Sequence, residues 1–436
     1  MPGETEIRLL CQMIAASIGS GISPQPLYSS LQAFEQSQAL ESPAPGLRKC
    51  IVATNVAETS LTIDGIVYVI DSGLVKQPQW NARIRMGRLG LSPISQASAN
   101  QRAGRAGRTR PGKCFRVYTK ERFDALRSSN IPGIQSSDFA PAMLTMLASG
   151  RWELFNQINF ISLPHIDFVT RAVCDLVDLG YMNYDGKITE SGMLAAKLPV
   201  DPKWVFAIEA AKEFDVHQHI CGLAAIASVQ NSMFIESYTH RQVLSVIRRQ
   251  WAHPHSDHIS QLNAFHAYMS ACNQNDIDID TWCGEHLLNI HTLFEIRQIR
   301  KQVIERMTSL KPKGWMSSPK FDNETHLNIR KALARGLFFN TAVRIRSGQP
   351  TFKTVHENQE ILTNPRSTIE PDLFDWVVYN EANLSIKPYM DIVTGIDPKW
   401  IMDLPHFQLE RMPKDTVGYP RQGVIHSALE ALRRTT

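Results

Sequence analysis

The sequence predicts a multidomain protein in which an α/β unit with a parallel sheet precedes a helical region and a small β barrel. The chain has 436 residues, 43% of them hydrophobic, so it can bury several cores, and its length favours about two to four domains. Short apolar runs alternate with helical stretches over residues 1–128, helical spacing prevails over 201–307, and strand-like runs return over 308–405. These three observations define the predicted fold class.

The α/β unit, residues 1–128, contains three short apolar runs with the length and composition of strands buried in a parallel sheet. The runs cover residues 50–54, 66–71 and 114–118. Helices are predicted over 4–17 and 99–106. A loose alternation of apolar residues between 75 and 98 predicts a β-hairpin. Trp80 and the arginines from Arg83 to Arg88 would give this hairpin stacking and phosphate-binding chemistry; a hairpin packed on the surface is the alternative.

Residues 129–200 combine two helical stretches, 139–147 and 167–179, with a hairpin turn. The turn is predicted at Asp185-Gly186, a strong two-residue hairpin signal. Helices followed by a hairpin are typical of a winged helix, which is the prediction for this region.

A helical bundle is predicted over residues 201–307. Asp201 followed by Pro202 matches a helix N-cap with proline in the first helical position. One long helix is indicated by a stripe of apolar residues at helical spacing. The stripe consists of Leu293, Ile296, Ile299, Val303 and Met307.

A small barrel of the OB type is predicted over residues 308–405, where a helix over 326–335 ends at Gly336 and short strand-like runs follow. The runs cover residues 342–346, 352–355, 376–381 and 389–393. Residues 406–436 form a tail that no pattern assigns.

Positive charge is concentrated in one part of the chain. Residues 76–127 hold 13 Lys and Arg against two Asp and Glu, a local net charge of +11, so the rest of a chain of net charge +4 carries −7. A basic patch beside a mildly acidic body suits phosphate binding at one surface.

The cysteine pattern and the absence of long apolar runs indicate a soluble intracellular protein. The seven cysteines form no CxxC pair and are typical of thiols in a reducing compartment. No run of 18 apolar residues and no signal peptide is present. His253, His255 and His258 cluster, but no cysteine or acidic set completes a metal site, so we expect no bound metal there.

The octet QRAGRAGR at residues 101–108 is the most informative stretch. Gln101, Arg105 and Arg108 are spaced at i, i+4 and i+7 and share a helix face, whereas Arg102 points elsewhere. Two glycines inside a helical turn cost about 1 kcal/mol each relative to alanine, and close approach of a ligand is the usual reason for them. Two guanidiniums and an amide on one helix face can bind a polyphosphate and the water that attacks it. A solvated basic helix face is the alternative.

Three segments resemble motifs of DEAH-box RNA helicases of superfamily 2. Residues 53–65 (ATNVAETSLTIDG) and 101–108 resemble motifs V and VI, and residues 26–31 (PLYSSL) resemble motif IV. The resemblance extends from residue 1 to about residue 405. It implies a second RecA-like domain with a parallel sheet, truncated at its first strand, followed by the winged helix, a helical ratchet domain along the RNA and the OB-fold.

The resemblance implies that motif VI completes an ATP site. Arg105 and Arg108 would act as arginine fingers on the γ-phosphate of ATP bound to a first RecA-like domain, and Gln101 would orient the attacking water. An arginine in this role accelerates phosphoryl transfer by roughly 10³–10⁵-fold.

The same resemblance assigns residues that contact ATP and RNA. Those implied to bind ATP are Ser60, Thr62, Asp64 and Leu40. Leucine at position 40 replaces a phenylalanine that stacks on the base in many members; for Asp64, a turn or helix cap is the alternative to the ribose contact. Those implied to bind the RNA backbone are Ser30, Thr54 and Asn55. Contacts to phosphates carry no sequence information, so single-stranded RNA of any sequence would be tracked.

The first RecA-like domain is missing from the sequence. Neither G-x-x-x-x-G-K-[ST] nor Asp-Glu-x-His occurs. The resemblance implies ATP and Mg²⁺ as cofactors, with Mg²⁺ held by the absent domain, so this chain alone is expected to be inactive. Residues 1–7 resemble the turn after the first strand of the second domain, so that strand is expected before Met1, and a shortened gene prediction or fragment is favoured over a natural half-length protein.

Two hypotheses of different class follow. The first is the C-terminal portion of an ATP-dependent RNA helicase of pre-mRNA splicing or ribosome assembly, nuclear or also cytoplasmic, with a G-patch activator as a partner. The second is a non-catalytic RNA-binding scaffold. A metal-dependent hydrolase based on the three histidines is the least favoured. Four positions depart from the family pattern, which indicates either a divergent member or relaxed constraint on a partial gene; they are Leu40, Ser72, Leu74 and His291.

Overall fold

The computed structural model describes most of the chain. The described residues are 1–18, 21–29, 31, 33–59, 63–108, 110–151, 159–235, 246–310, 320–346, 348–408, 425, 428, 429 and 433. They divide into two compact units. The N-terminal unit comprises Met1–Gln79 and Arg88–Ser137, and the C-terminal unit comprises Trp80–Gly87 and Asp138–Thr436.

Four strands of the N-terminal unit form two parallel pairs. β1 (Ile22–Leu27) pairs with β2 (Arg48–Ala53), with Leu27 opposite Ala53. β3 (Tyr68–Asp71) pairs with β6 (Lys113–Arg116). The three predicted strands are confirmed, and β1 was not predicted because prolines interrupt its apolar pattern. Within the described residues the two pairs are separate sheets, whereas we predicted one parallel sheet.

Helices cover these strand pairs. α1 (Glu4–Ile18), predicted over 4–17, packs on the first pair, where Ile7, Tyr28 and Val52 share a core. Further helices of the unit are α2 (Ala33–Leu40), α3 (Val56–Thr59), α4 (Gln96–Gly104) and α5 (Lys120–Asp124). α4 packs against β3, and Ser95 caps it by accepting a hydrogen bond from the Ser98 N–H at 3.1 Å.

The predicted helix over 99–106 is wrong at its C-terminal end. The α-helical turns stop at Gly104, and Arg105–Gly107 continue as a 3₁₀ turn. The physical reason is the pair of glycines, which weaken the α-helix and let its last turn tighten.

The predicted hairpin is confirmed as β4 (Leu74–Asn81) and β5 (Met86–Pro93). Its tip, Trp80–Gly87, belongs to the C-terminal unit. There Arg85 forms ion pairs with Asp175 and, at 2.9 Å, with Glu357.

The hairpin tip does not offer its central arginine to phosphate. The Arg85 side chain is only 9% exposed, and its guanidinium lies 4.2 Å from the centre of the Phe339 ring. Arg83 pairs with Asp167 at 2.9 Å. The predicted phosphate chemistry is therefore wrong for Arg85, because two carboxylates already neutralise it, and the packed hairpin is the better description of the tip.

The C-terminal unit begins with helices in the region predicted as a winged helix. They are α6 (Ala140–Ala148), α7 (Ile166–Asp178) and α8 (Glu190–Ala195). Between α7 and α8 a bridge joins Met182 to Ile188 around the predicted turn, where Gly186 has φ +78°. The helices and the turn are confirmed; the winged helix itself stays a prediction.

A set of helices follows. Its members are α9 (Pro202–Ala210), α10 (His217–Ser228), α11 (Asp257–Cys272), α12 (Ile279–Glu285), α13 (Ile290–Leu310) and α14 (Asn323–Gly336). Asp201 caps α9 as predicted, accepting from the Lys203 N–H at 2.9 Å. Four of the five stripe residues on α13 are fully buried, and Ile299 is half-buried. The long helix is confirmed, and the ratchet assignment stays a prediction.

Five strands form a closed barrel, which confirms the OB-type prediction in its architecture. They are β7 (Thr341–Arg344), β8 (Thr351–Thr354), β9 (Glu360–Thr363), β10 (Trp376–Leu384) and β11 (Pro388–Gly395). The order is β11-β9-β8-β7-β10, and the pairing of β10 with β11 closes the barrel. Phe352, Val377 and Met390 fill its core. β9 was missed because its four residues carry only two apolar side chains.

Candidate nucleotide and RNA site

Two of the residues implied to touch RNA lie where parallel strands end. The Thr54 N–H donates to the Leu27 carbonyl at 3.1 Å, so the chain leaving β2 lies beside the end of β1. Thr54 is half-buried and Asn55 is exposed. The carboxyl ends of neighbouring parallel strands are a common place for a ligand in an α/β sheet. The structure therefore places Thr54 and Asn55 where they can meet a phosphate backbone.

The motif VI helix is tied to the segment that follows β2. The Arg102 guanidinium pairs with Glu58 at 3.1 Å and with Asp71 at 2.8 Å. It also donates to the Leu74 carbonyl at 3.3 Å. The carboxylates of Glu58 and Asp71 are 9% and 0% exposed, so this is a buried ion network that joins motif V, β3 and motif VI.

Asp71 is the centre of the network. Besides Arg102, it accepts hydrogen bonds from the Gly73 N–H at 3.0 Å and from the Tyr118 hydroxyl at 2.7 Å. Burial and this hydrogen bond to a carboxylate raise the pKa of Tyr118, which therefore stays protonated as a donor. A buried carboxylate with three partners is fully satisfied and fixes the groups around it.

Arg105 contacts the same segment from the next turn. Its guanidinium donates to the Glu58 carbonyl. Burial and the nearby Arg108 guanidinium lower the pKa of Arg105, so the two cations lie within electrostatic reach of each other. Two guanidiniums held close together attract a polyanion more strongly than either does alone.

The structure places the predicted site residues unequally. Gln101 and Arg108 are exposed, and Arg105 is half-buried beside them. Asp64 is exposed in a turn with Gly65, whose φ is +75°, and Leu40 is 39% exposed at the end of α2. Ser30, Ser60 and Thr62 lie outside the described residues.

Sequence reasoning missed the network that supports the site. We assigned no role to Arg102 because it does not share the helix face of Arg105. The same spacing places Arg102 on the inner face of the helix, where it meets Glu58 and Asp71. Glu58 lies within the segment that resembles motif V, so its acidic side chain was a signal. Asp71 and Tyr118 carry no local pattern that marks them as partners.

The three clustered histidines do not form a metal site. The His258 ring bonds Thr394 at 2.8 Å through Nδ1, and burial lowers its pKa to about 3. His253 and His255 contact each other edge to face, with ring centres 5.5 Å apart. In the described parts of the chain no three His, Cys, Asp or Glu residues come together as metal ligands.

Comparison with known protein families shows two matching domains. Residues 4–110 match the helicase conserved C-terminal domain, and residues 329–406 match an oligonucleotide/oligosaccharide-binding fold. The first match contains Arg102, Glu58 and Asp71 of the ion network, the β1–β2 pair and β3, and it ends before β6. The second contains the barrel. The class of the protein is thus a helicase C-terminal region that includes an OB-fold.

Similar proteins extend this result to nearly the whole chain. A Pongo abelii protein described as "Probable ATP-dependent RNA helicase DHX35" is 34% identical over 435 residues, which are 98% of this chain and 58% of that protein. The Homo sapiens protein of the same description is 34% identical over 411 residues, 93% of this chain and 56% of that protein. The chain spans somewhat more than half the length of these relatives. It is homologous to DEAH-box RNA helicases over most of its length.

Proposed function

We propose that the chain is the C-terminal portion of an ATP-dependent RNA helicase that remodels RNA or RNA–protein complexes. The observation that carries the proposal is the buried network of Arg102, Glu58 and Asp71. It joins the segment after β2 to the helix that presents Gln101, Arg105 and Arg108. Such a connection holds a phosphate-facing helix and an RNA-facing strand end in one rigid element.

The residues of this chain would act on ATP held mainly by another domain. ATP supplies the phosphoryl group that is transferred to water. Arg105 and Arg108 would stabilise negative charge on the γ-phosphate, and the Gln101 amide would orient water. The exposed Gln101 and Arg108 and the neighbouring Arg105 fit an anionic ligand. Mg²⁺ would be held by a separate ATP-binding domain, as the family resemblance implies.

Single-stranded RNA is the proposed substrate. Thr54 and Asn55 would bond phosphate oxygens, with Ser30 as a third member of this set. The description of both relatives as probable RNA helicases supports RNA rather than DNA. A nuclear role in splicing or ribosome assembly, with a G-patch activator protein, follows from the family resemblance. No helix in the described ranges is long and apolar enough to cross a bilayer.

A chimera tests the catalytic part. The region of the human relative that this chain matches would be replaced by this chain, and ATP hydrolysis would be measured with and without a uridylate dodecamer. We expect RNA-stimulated hydrolysis that falls by roughly 10³-fold in Arg105→Ala and Arg108→Ala. Arg110→Ala, an exposed arginine just beyond motif VI, is the matched control and should keep its rate.

The non-catalytic scaffold is the second candidate, favoured by the lack of a phosphate-binding loop in this chain. It predicts that the chimera, although folded, shows no RNA-stimulated hydrolysis, while the chain alone binds the uridylate dodecamer. An active chimera whose rate of ATP hydrolysis is unchanged by Arg105→Ala would refute the role of motif VI.

A further inference from the structure

Two neighbouring cavities open along α13, in helices that contain none of the residues proposed to bind ATP or RNA. One has a volume of about 450 Å³ and is lined from α11, α12 and α13. The other has a volume of about 610 Å³ and is lined from α11 and α13. Phe294 and Arg297 line both cavities, so the two form one groove, which we name the α11–α13 groove.

An aromatic side chain stands open to solvent in the middle of this groove. Phe294 is 55% exposed and lies beside the apolar stripe of α13, most of which is buried. Met269 and Ile304 line the second cavity beside it, and Ile279 and Ile290 line the first. Apolar side chains around a half-exposed ring, with charged side chains beside them, are the environment in which interface anchors bind.

The second cavity is lined by Arg300, which forms no ion pair with a carboxylate among the described residues. Arg300 is half-buried against α10, where its Nε would lie 3.8 Å from a Cβ placed on Gly222. Burial lowers the pKa of its guanidinium, and among the described residues only the Cys221 thiol opposes this effect. A partly desolvated guanidinium that forms no ion pair is unfavourable, and binding a carboxylate would relieve it.

The other charges restrict the kind of anion that fits. Arg297 and Lys301 flank Arg300, while Asp280 lines the first cavity and Glu305 the second. Lys301 forms an ion pair with Glu305, with 3.8 Å between the charged atoms. A phosphodiester chain running through both cavities would meet a carboxylate in each and be repelled. A peptide can place a single carboxylate on Arg300 and neutral groups beside Asp280 and Glu305, whereas a phosphodiester chain carries a charge at every linkage.

We propose that the α11–α13 groove binds a segment of a partner protein that places an apolar side chain against Phe294 and an Asp or Glu carboxylate on Arg300. The two contacts use the exposed ring and the unpaired guanidinium together. This site is independent of motif VI and of the strand ends that face RNA.

Peptide display tests the proposal directly. A library of random peptides would be panned against the full chain and counter-selected against Arg300→Met, which keeps the length and the apolar stem of the side chain. We expect selected peptides that combine Asp or Glu with an aromatic or aliphatic residue. In fluorescence anisotropy their affinity should fall by about tenfold or more in Arg300→Met and in Phe294→Ala.

Matched controls separate this site from the RNA site. Lys399→Met removes one exposed positive charge far along the chain from α13 and should leave peptide binding unchanged. Binding of the uridylate dodecamer should be the same in all variants. The proposal is overturned if no peptide is selected, if selected peptides bind Phe294→Ala and Arg300→Met as tightly as the unmodified chain, or if these variants weaken RNA binding instead. Failure of the chain to bind RNA at all would count against the proposed function only.

Discussion

Replacing Arg85 by methionine should destabilise the C-terminal unit by leaving a carboxylate buried without its cation. Arg85 pairs with Asp175 and Glu357, whose side chains are 14% and 4% exposed. Asp175 keeps a second partner, because Arg171 lies 3.1 Å from it. Glu357 has no other ion pair among the described residues, so it is the group left unpaired.

The size of the effect follows from that burial. Removing one partner of a buried pair costs about 3–5 kcal/mol. The unfolding entropy of a unit of this size makes each kcal/mol correspond to roughly 1.5 °C in melting temperature, so we expect a drop of about 5–8 °C. Arg85→Met/Glu357→Gln should recover most of the loss, because a neutral amide is less costly to bury than an unpaired carboxylate.

The pH dependence has a definite sign. Burial raises the pKa of Glu357, and Arg85 opposes this effect. Without Arg85 the folded-state pKa rises further above the unfolded value of about 4.3. A carboxyl with a raised folded-state pKa loses stability as pH increases through that pKa. The deficit of Arg85→Met should therefore be largest near about pH 8 and smallest near about pH 4.5.

Tryptophan fluorescence reports this unit selectively. All eight tryptophans of the chain lie in the C-terminal unit, from Trp80 to Trp400. Urea unfolding followed by fluorescence therefore measures the unit that contains Arg85. The reasoning is refuted if Arg85→Met unfolds at the same urea concentration as the unmodified chain at about pH 8, or if the double variant is no more stable than the single one.

Three further predictions concern other parts of the chain. Gly336→Ala should destabilise the C-terminal unit by about 1–3 kcal/mol in urea unfolding, because its Cβ would lie 2.4 Å from that of Ala207; Gly284→Ala, which meets nothing within 4 Å, is the control and should be neutral or stabilising. Because burial lowers the pKa of His258 to about 3, the folded state loses stability as pH falls below about 6.5, and His258→Asn should remove up to about 1.4 kcal/mol per pH unit from that slope. An unchanged slope would mean that His258 is protonated in the folded protein. Arg102→Met should increase hydrogen exchange in residues 96–104, since it leaves Glu58 and Asp71 buried without their cation; exchange equal to that of the unmodified chain would show that the network does not hold α4.

Local features of the fold were predictable because their causes are local. The capping of α9 by Asp201, the turn at Gly186 and the buried stripe of α13 each depend on residues within a few turns of one another. The predicted C-terminal end of α4 was wrong because we explained its glycines only by close approach of a ligand. The glycines also end the α-helical turns.

The supporting network was not predictable because its partners are far apart in sequence. Arg102 is separated from Glu58 by 44 residues and from Asp71 by 31. Arg85 is separated from Glu357 by 272 residues. The charge count over residues 76–127 includes every arginine as if it could reach a phosphate. Tertiary contacts bury two of them, Arg85 and Arg102. Net charge therefore indicates the kind of ligand and overstates how many side chains can reach it.

The octet at 101–108 contains arginines of two kinds, and the difference explains why its pattern is informative. Arg102 is 14% exposed and neutralised by two carboxylates, so its role is to hold the helix in position. Arg108 is exposed and Arg105 lies beside it, so these two can meet an anion. An arginine that acts on a ligand needs a backbone that does not move when the ligand binds. The buried arginine supplies that rigidity, which is why one face of the helix can carry accessible charge while the other is held by ion pairs.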